Sequence, residues 1–378
     1  MIISGIETFP LRIPFNPGNK SAASAWGPKG LHAVDSLLVR VTTDSGLEGW
    51  GESFGFTGVP VTQRAVDAVI APLCAGEDAT HIGPLMAGIQ DKLAVFGRGG
   101  PFTHGLSAVD IALWDIAGKA AGAPLHRLLG GGRGKLACYA SLDAYSDPDL
   151  VRGAVRKALG AGFTSIKLHK RDLPVVRAGR EEAGPDTSLM IDVNTAWTVN
   201  QAGAMAAQLQ EIRPKWLEEP VWPPENYDGL AQVRRTGGVP IAAGENVPTL
   251  LDFGRLLDAG AVDFVQPSPA KMGGITELRK VYTAAALRNA TVMLHSFYDG
   301  PGLLAAIHAT AALGTADSMI EWRYFDLEAK VLGDELTTKN GQVLEPQGPG
   351  LGIDPDPDVI SAYLVRPKPH REQNLPAA

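Results

Sequence analysis

A chain of 378 residues is longer than one small core requires, and this length predicts two structural units. Apolar residues make up 45% of it and charged residues 20%, as in an ordinary soluble globular protein. The net charge of −7 excludes a basic face for nucleic acid or an anionic membrane, so an anionic ligand must be bound locally, through a metal ion or a few lysines.

The two cysteines, Cys74 and Cys138, lack the CxxC spacing of zinc sites, so neither a zinc site nor a disulfide framework is indicated. Each lies in an apolar run, which predicts buried free thiols. The first residues lack a basic stretch followed by a long apolar run, and no run approaches the roughly 18 apolar residues of a membrane span. We therefore expect a cytoplasmic protein without a membrane segment.

The first 60 residues or so are predicted to form strands. IETFPLRI alternates, and DSLLVRVTTDSGLEGWGES predicts two strands joined by a turn at residues 44–46. The segment between them, FNPGNKSAASAWGPKGLHA, is a long loop rich in small residues, and such loops are usually functional or disordered. Its Lys20, Trp26, Lys29 and His32 predict a lid over the ligand, with Trp26 as a substrate contact. The alternative is that Trp26 packs on a neighbouring element.

From residue 61 to 129 the chain is predicted to be helical. AVDAVIAPLCAG and LSAVDIALWDIAGKAAG carry apolar residues at three- and four-residue spacing. A sheet followed by helices is typical of an α+β domain, which we place at residues 1–125.

Beyond residue 125, strands and helices alternate. The apolar runs LACYASL, TSIKLH, LMIDVN, WLEEP, PIAAGE, FVQPSP, VMLHS and SMIEW predict eight strands separated by helical stretches. This α/β pattern predicts a (β/α)8-type barrel at residues 126–325 with its last helix reduced. The segment 326–378 is too short for a domain, and we expect it to return and pack on the first one.

Three carboxylates, Asp192, Glu218 and Glu245, follow apolar runs at intervals of 26 and 27 residues. A strand, a crossover helix and their loops need about thirty residues, so these acids are expected at the ends of consecutive parallel strands, which share one face of a barrel. Converging carboxylates raise one another's pKa unless a cation lies between them. Oxygen-only ligands favour one Mg²⁺ ion. The alternative is three unrelated surface acids.

Other polar residues are predicted at the same strand ends. The period of two in a strand points Lys167 and His169 the same way, and Asn194 the same way as Asp192. Later strands lead into Gln266, Ser268 and Lys271, into His295, and into Glu321. We expect His169 and His295 to face each other across the barrel mouth with the substrate between them.

Each of these residues also has a structural explanation. A lone histidine at a strand end is more often structural, but two at matched positions favour a functional role. Lys271 precedes two glycines and could simply begin a helix, although a cation there opposes the helix dipole. His308, within LLAAIHATAAL, is predicted to be a satisfied helix histidine.

This set of groups suits removal of an α-proton from a carboxylate substrate. A bound Mg²⁺ ion acidifies that proton by stabilising the ene-diolate that remains. A base on one face and an acid on the other complete the reaction, and histidine is the most common residue in both roles. We expect Lys167 to lower the pKa of His169 by like-charge repulsion and to keep it neutral.

The motifs KLH, IDVN, WLEEP, GEN and KMGG, with the seventh-strand histidine, resemble the mandelate racemase/muconate lactonising enzyme branch of the enolase superfamily. GWGES and ALWDIAGK resemble the capping domain of that branch, so the resemblance covers nearly the whole chain. It implies that Asp192, Glu218 and Glu245 bind Mg²⁺, that N-terminal loops select the substrate, and that the chain forms a homo-oligomer.

Two positions depart from the pattern of that family. The family usually reads Lys-x-Lys on strand two, with the second lysine as base, and His169 occupies that position. Racemase-like members carry an aspartate on strand six that pairs with the strand-seven histidine, and lactonising members carry a lysine; Ser268 stands there instead. We therefore expect His295 to lack the partner that would raise its pKa and fix its tautomer. Glu321 is kept, and in the racemase group this residue hydrogen-bonds the substrate carboxylate.

We expect a hydro-lyase that dehydrates a hydroxy acid, most specifically a sugar acid, to a 2-keto acid. His169 would take the α-proton and His295 would protonate the departing β-hydroxyl. Elimination needs one base and one acid, whereas racemisation needs two matched bases. The alternatives are racemisation, epimerisation or cycloisomerisation of a hydroxy, amino or lactone acid. A different class is a barrel that binds a metal and an acid without turnover.

Overall fold

The computed structural model describes residues 1–15, 32–145 and 147–366. The predicted lid residues Lys20, Trp26 and Lys29 lie outside the described residues. Both cysteines are buried free thiols, as predicted. Within the described ranges, no helix is both long and apolar enough to cross a membrane.

The first domain pairs an antiparallel sheet with a layer of helices. The sheet contains β1 (Ile3–Pro14), β2 (Ala33–Thr43) and β3 (Glu48–Ser53) in that order, with the predicted turn between β2 and β3. The helices are α1 (Val59–Ala65), α2 (Ala71–Cys74), α3 (Ile82–Leu93), α4 (Gly100–Ala120) and α5 (Leu125–Leu128). A π-helical turn covers Val66–Ile70, and 3-10 turns cover Phe56–Gly58 and Ala94–Phe96.

Helix α4 lies directly against β3 because two glycines of the GWGES motif carry no side chain. A Cβ atom on Gly51 would lie 1.8 Å from the carbonyl oxygen of Ala108, and one on Gly49 would lie 2.2 Å from that of Ala112. Any larger residue at either position would push the helix off the sheet.

Eight parallel strands form the second domain. They are β4 (Lys135–Ser141), β5 (Ser165–His169), β6 (Ser188–Asp192), β7 (Trp216–Glu218), β8 (Ile241–Ala243), β9 (Phe264–Val265), β10 (Thr291–Val292) and β11 (Ile320–Arg323). The helices between them are α6 (Pro148–Gly160), α7 (Leu173–Ala183), α8 (Val199–Leu209), α9 (Tyr227–Thr236), α10 (Leu250–Asp258), α11 (Gly274–Ala286) and α12 (Pro301–Leu313), with a 3-10 turn at Gln210–Ile212. The predicted α/β barrel fold is confirmed.

The sheet runs in order from β4 to β10, and β11 pairs with the far side of β4. Serine side chains link β10 to β11. Ser318 Oγ donates to the carbonyl oxygen of Val292 at 3.0 Å, and Ser296 Oγ donates to that of Glu321 at 2.9 Å. These bonds join the seventh strand of the barrel to the eighth, and the eighth strand pairs with the first.

The strands are shorter than the apolar runs suggest. β7 stops at Glu218 and β6 at Asp192, so each acid is the last residue of its strand. Beyond them Asn194 and Glu219 have positive φ angles of 46° and 45°, which end the extended backbone. The period of two therefore does not apply to Asn194, and our reason for pairing it with Asp192 was wrong.

An apolar layer fills the barrel beneath the polar strand ends. It contains Tyr139, Met190, Trp216, Ala242, Met293 and Met319, with Phe264 packed against it. Most of these residues lie two positions before a polar residue at a strand end, as Met190 does before Asp192 and Met293 before His295. Strand alternation therefore stacks the polar layer on an apolar floor.

The C-terminal segment contacts both domains. Strands β12 (Thr338–Lys339) and β13 (Gln342–Leu344) form a hairpin, and β13 pairs antiparallel with β4. Helix α13 (Pro357–Tyr363) lies on the first domain, where Ile360 and Val331 join a cluster with Leu11, Leu38 and Trp50. The tail thus completes the hydrophobic core of the N-terminal domain.

The N-terminal domain also caps two barrel helices. Glu52 Oε2 accepts hydrogen bonds from the backbone N–H groups of Gly300 at 3.1 Å and Gly302 at 2.9 Å, at the start of α12. Asp110 Oδ1 accepts from the N–H of Thr276 at 3.0 Å, at the start of α11. Both carboxylates satisfy N–H groups that a helix leaves unpaired, and so they tie the loops after β9 and β10 to the first domain.

Candidate active site

Asp192, Glu218 and Glu245 come together at the carboxyl ends of β6, β7 and β8. One carboxylate oxygen from each lies within 4.8 Å of the others, and all three residues are buried. The sequence predicted this convergence from spacing alone. An all-oxygen donor set of this kind fits a hard divalent cation such as Mg²⁺.

The charge balance around the triad independently favours a cation. The buried acids are Asp192, Glu218, Glu219, Glu245 and Glu321, and the buried lysines are Lys167 and Lys271. Two cations cannot neutralise five ionised carboxylates. Burial and the charge of Asp192 accordingly raise the pKa of Glu218 to about 8, and burial with the charge of Glu245 raises that of Glu219 well above its usual range. A divalent ion would relieve this repulsion.

Lys167 is enclosed by carboxylates at the end of β5. Its Nζ lies 2.8 Å from Glu218 Oε1, 2.7 Å from Glu321 Oε1 and 3.2 Å from Asp192 Oδ2. Burial alone would lower the pKa of this ammonium, but the three acids outweigh burial and hold the pKa well above its usual range. Lys167 thus places a positive charge against two acids of the triad.

His169 lies on the outer side of Asp192. Its Nδ1 is 2.6 Å from the carbonyl oxygen of Leu142, and its Nε2 is 3.4 Å from Asp192 Oδ2. We expected Lys167 to lower the pKa of this histidine, and its charge does act in that direction, as does burial. The expectation was nevertheless wrong in its net sign, because the hydrogen bond and charge of Asp192 outweigh both and raise the pKa.

His295 lies on the other side of the triad. Its Nε2 is 3.0 Å from Glu245 Oε2, and its Nδ1 is 3.2 Å from Ser268 Oγ. Ser268 in turn hydrogen-bonds the hydroxyl of Tyr298, and all three side chains are buried. The aspartate of the racemase-like members is missing here, as the sequence indicates, and the hydroxyls of Ser268 and Tyr298 stand in its place.

The ring of Phe297 lies near both histidines. Its centroid is 5.7 Å from that of His169 and 6.4 Å from that of His295. The guanidinium of Arg323 stacks on Phe297 with Cζ 4.1 Å from the ring centroid, and it also pairs with Asp299. The two histidines thus contact different acids of the triad, and both have the Phe297 ring as a neighbour.

Lys271 reaches the site through Asn246. Its Nζ donates to Asn246 Oδ1 at 2.9 Å and lies 4.2 Å from the centroid of the Phe54 ring. Asn246 Nδ2 donates to Glu219 Oε2 at 2.7 Å and to Glu245 Oε1 at 3.2 Å. Lys271 precedes α11 in the chain. Its ammonium contacts Asn246, which in turn contacts the triad residue Glu245.

The other predicted substrate-binding residues are Glu321, Asn194 and Trp26, and only the first two lie in the described part of the chain. Glu321 is buried behind Lys167, and its carboxylate also accepts from Ser141 Oγ at 2.8 Å and from the N–H of Ser296 at 3.2 Å. Asn194 meets the site through its backbone, whose N–H donates to Asp192 Oδ1 at 2.9 Å. Trp26 is outside the described residues.

Several residues of the site were not predicted from the sequence. The second acid of WLEEP, Glu219, and the asparagine of GEN, Asn246, were visible as polar neighbours of the metal ligands. Phe297 and Tyr298 carry no such signal, because their sequence HSFYDG shows only a loop. His308 is a helix histidine as predicted; its Nε2 is 3.1 Å from the carbonyl oxygen of Leu351, and its Nδ1 is 3.1 Å from Nδ1 of His126.

Family models and known proteins match most of the chain. The model described as "Enolase C-terminal domain-like" matches residues 149–359, and the model "Mandelate racemase / muconate lactonizing enzyme, N-terminal domain" matches residues 28–130. The D-galactarolactone cycloisomerase of Agrobacterium fabrum is 33% identical, over 87% of this chain and 91% of that protein. The arabinonate dehydratase of Saccharolobus solfataricus is 30% identical, over 89% of this chain and 93% of that protein.

A solved structure shows the same arrangement of the fold. The racemase from Streptomyces coelicolor A3(2), crystallised with bound magnesium, superposes with a TM-score of 0.86 at 29% identity. The match covers 96% of this chain and 100% of that one.

Proposed function

The chain belongs to the mandelate racemase/muconate lactonizing enzyme family of the enolase superfamily, and from this we propose that it is a magnesium-dependent hydro-lyase acting on a sugar acid. It would remove the α-proton of the acid, expel the β-hydroxyl as water and release a 2-keto acid. The observation that carries this proposal is that two histidines contact different acids of the triad, with His169 Nε2 beside Asp192 and His295 Nε2 beside Glu245.

Asp192, Glu218 and Glu245 would hold the Mg²⁺ ion, whose part is to bind the substrate carboxylate and stabilise the negative charge that builds there. Lys271, held beside the triad by Asn246, adds a positive charge for the same carboxylate. Lys167 pairs with Asp192 and Glu218 and holds these two ligands in place. These residues orient the substrate so that its α-carbon lies between the histidines.

His169 would act as the base. Its Nδ1 is bonded to a carbonyl oxygen, which can only accept, so the neutral ring carries its hydrogen on Nδ1 and presents a lone pair at Nε2. On the opposite side His295 would give a proton to the β-hydroxyl, which leaves as water. Both histidines then return to their starting states by exchange with solvent.

Cycloisomerisation of a lactone or anhydro acid is the second candidate. It is favoured by the 33% identity to a D-galactarolactone cycloisomerase, a protein that the chain covers almost end to end. Such a reaction would begin with the same proton removal and differ in the bond that breaks next. Racemisation is less well supported, because the surroundings of His169 and His295 are not matched.

The test is to incubate the protein with Mg²⁺ in D₂O with a panel of linear sugar acids, sugar lactones, hydroxyprolines and N-substituted amino acids. A 2-keto product from a linear acid supports the hydro-lyase. Ring opening or α-deuterium uptake with inversion supports the isomerase alternatives. Absence of turnover and exchange across the whole panel would contradict both and favour a binding protein.

A further inference from the structure

Gln266, which follows β9, is a buried amide without a partner among the described residues. It is 0% exposed, and neither its Nε2 nor its Oε1 makes a hydrogen bond within the part of the chain that the structure describes. Buried side-chain amides are almost always hydrogen-bonded, because an unpaired donor or acceptor loses its water without compensation. The proposed proton transfers do not use this residue, so its amide needs another explanation.

The backbone directs the Gln266 side chain into the barrel. Its N–H donates to the carbonyl oxygen of Ala243 at 2.9 Å, and the N–H of Met293 donates to that of Val265 at 3.0 Å. These bonds extend the parallel ladders by one residue, so Gln266 pairs with Gly244 on one side and with Met293 on the other. Paired residues of neighbouring strands point to the same face of a sheet. Met293 belongs to the apolar layer inside the barrel, and Gln266 therefore points inside as well.

Gln266 belongs to the same layer of the barrel as three charged residues of the site. These are Lys167 on β5, Glu218 on β7 and Glu321 on β11, and the ammonium lies 2.8 Å and 2.7 Å from the two carboxylates. Inward-pointing residues of a (β/α)8 barrel form layers of four, one from each alternate strand, and β9 is the fourth alternate strand of this set. Gln266 thus stands opposite Lys167, between the two carboxylates.

The apolar floor of the barrel supports this placement. Phe264, Trp216 and Met319 pack in one cluster, and the ring centroids of Phe264 and Trp216 are 5.1 Å apart. Each lies two residues before a member of the polar layer, and two residues along a strand restore the same face. Gln266 therefore lies above Phe264 as Glu218 lies above Trp216.

The two carboxylates of this layer are engaged by other donors. Glu218 and Glu321 both bind Lys167 through Oε1. Their Oε2 atoms accept hydrogen bonds from Trp216 Nε1 at 2.8 Å and from the N–H of Ser296 at 3.2 Å. The amide therefore finds no free acceptor among the acids of its own layer.

Gln266 also lies next to the triad. Its partner on the β8 side, Gly244, immediately precedes the triad acid Glu245. A Cβ atom on Gly244 would lie 2.8 Å from the backbone nitrogen of Gln266, so a glycine is needed for this close approach. The amide thus faces the part of the barrel where the triad converges.

We propose that Gln266 is a substrate-binding residue, whose Nε2 donates to a carboxylate oxygen of the bound acid from the side opposite to Lys167. A hydroxy acid satisfies both atoms of the amide, because its carboxylate accepts a hydrogen bond and its hydroxyl groups donate one. Since the amide is neutral, it makes this contact without adding a charge to the acidic layer. The proposal rests on the proposed function in taking the ligand to be a carboxylate.

Binding of a small carboxylate tests the proposal without turnover. Oxalate is the probe, because it chelates Mg²⁺ and has no α-proton to lose. We would titrate it into the full-length protein with saturating Mg²⁺ and measure the heat. Gln266→Met keeps an unbranched side chain and removes both polar atoms, so oxalate should bind about 10- to 100-fold more weakly, as for a lost hydrogen bond to a charged group. Gln232→Met, which changes an exposed glutamine on α9, is the control and should bind oxalate like the wild-type protein.

Stability separates ligand binding from a structural role. Gln266→Met removes an unpaired buried amide, so without Mg²⁺ it should be at least as stable as the wild-type protein. Denaturant unfolding in the presence of a chelator measures this. If Gln266 instead binds only a structural water molecule, the variant should lose stability and keep its affinity for oxalate.

Three results would overturn the proposal. They are equal affinities for oxalate in wild type and Gln266→Met, absence of Mg²⁺-dependent oxalate binding by the wild-type protein, and a Gln266→Met variant that is less stable than wild type or does not fold. Weaker oxalate binding with undiminished stability supports it.

Turnover supplies a second, separable readout. With an acid that the wild-type protein dehydrates, Gln266→Met should raise KM about 10-fold and change kcat less, because the contact is made to the bound substrate before its α-proton leaves. A fall in kcat with an unchanged KM would contradict this role. If no acid in the panel is dehydrated, the proposed function fails, while oxalate binding still decides the role of Gln266.

Discussion

The Nδ1 of His169 donates to the carbonyl oxygen of Leu142 across 2.6 Å. A carbonyl oxygen cannot donate, so this contact fixes the tautomer of the neutral ring without any charged partner. It also sets the ring plane, because the bond is short and its acceptor belongs to the backbone that follows β4. The nitrogen that faces Asp192 is consequently the one available for proton removal.

Replacing His169 with Asn should remove α-proton exchange while leaving Mg²⁺ binding intact. Asn keeps a polar group near Leu142 but has no basic nitrogen, and loss of a general base typically costs 10²- to 10⁴-fold in rate. Deuterium exchange in D₂O measures the first property and titration calorimetry the second. His81→Asn, which changes an exposed histidine before α3, is the control. Exchange that survives in His169→Asn would place the base on Lys167 or His295.

Mg²⁺ should stabilise the folded protein, and chelation should remove the effect. Binding to the native state alone contributes about 2.7 kcal/mol when the free ion is at about 100 times its Kd. Thermal unfolding with Mg²⁺ and with a chelator measures the difference. Asp192→Asn should lose this response, whereas Asp186→Asn, which changes an exposed aspartate, should keep it. An undiminished response in Asp192→Asn would mean that the ion binds elsewhere.

Lys167→Met should strongly destabilise the metal-free protein. The substitution keeps an unbranched side chain but leaves Asp192, Glu218 and Glu321 without their shared cation. Breaking a buried ion pair in this way costs about 3–5 kcal/mol in the free energy of unfolding. Denaturant unfolding measures it. Lys280→Met, which removes a surface pair with Glu277, should cost less than about 1 kcal/mol. Equal losses in the two variants would contradict the buried role.

Glu52 should make stability depend on pH. Burial, with the charge of Asp299, raises its pKa from 4.5 to about 7 in the folded protein. The folded state therefore binds this proton more tightly than the unfolded state, so the stability it contributes is full below pH 4.5 and is lost as the pH rises through about 7. The loss is on the order of 3 kcal/mol, since one pKa unit corresponds to about 1.4 kcal/mol.

Glu52→Gln cannot ionise, so it should gain stability relative to the wild-type protein between pH 4.5 and 7. Unfolding free energies at several pH values across that window measure the change. Glu48→Gln, on the same strand but partly exposed, is the matched control. A difference between wild type and Glu52→Gln that stays constant with pH would contradict the argument.

The parts of the site that repeat with the fold were predictable from the sequence. The triad was found because each barrel unit places one residue at a strand end, so Asp192, Glu218 and Glu245 recur at nearly constant spacing. The same regularity placed Lys167 and His169 correctly on β5, whereas His295 lies in the loop that follows β10. Because the backbone of a barrel is regular, the spacing of residues in the sequence determines their positions in the fold. For this reason the fold and these residues could be predicted from the sequence.

The contacts that join different loops were not predictable. Ser268 and Tyr298 are 30 residues apart, and the acceptor of His169 is a backbone oxygen 27 residues away, so no spacing rule connects them. The pKa of His169 depends on the distances of Lys167 and Asp192 from its ring and on how each of these charges is neutralised by its neighbours. Differences of a few ångströms decide the result, and the sequence does not give such distances. The domain limits at residues 125 and 325 and the role of Trp26 remain predictions.

The helix caps supplied by Glu52 and Asp110 also bear on how the chain assembles. Their partners lie 248 and 250 residues later for Glu52 and 166 residues later for Asp110. During synthesis the acceptors therefore exist long before the helices that need them. The last part of the barrel therefore packs against an N-terminal domain that has already been synthesised. The contacts between them join residues far apart in the sequence, and such contacts form slowly. Helices α11 and α12 follow the strands that lead to Lys271 and His295. They therefore gain their N-terminal caps only after the N-terminal domain has packed against the barrel.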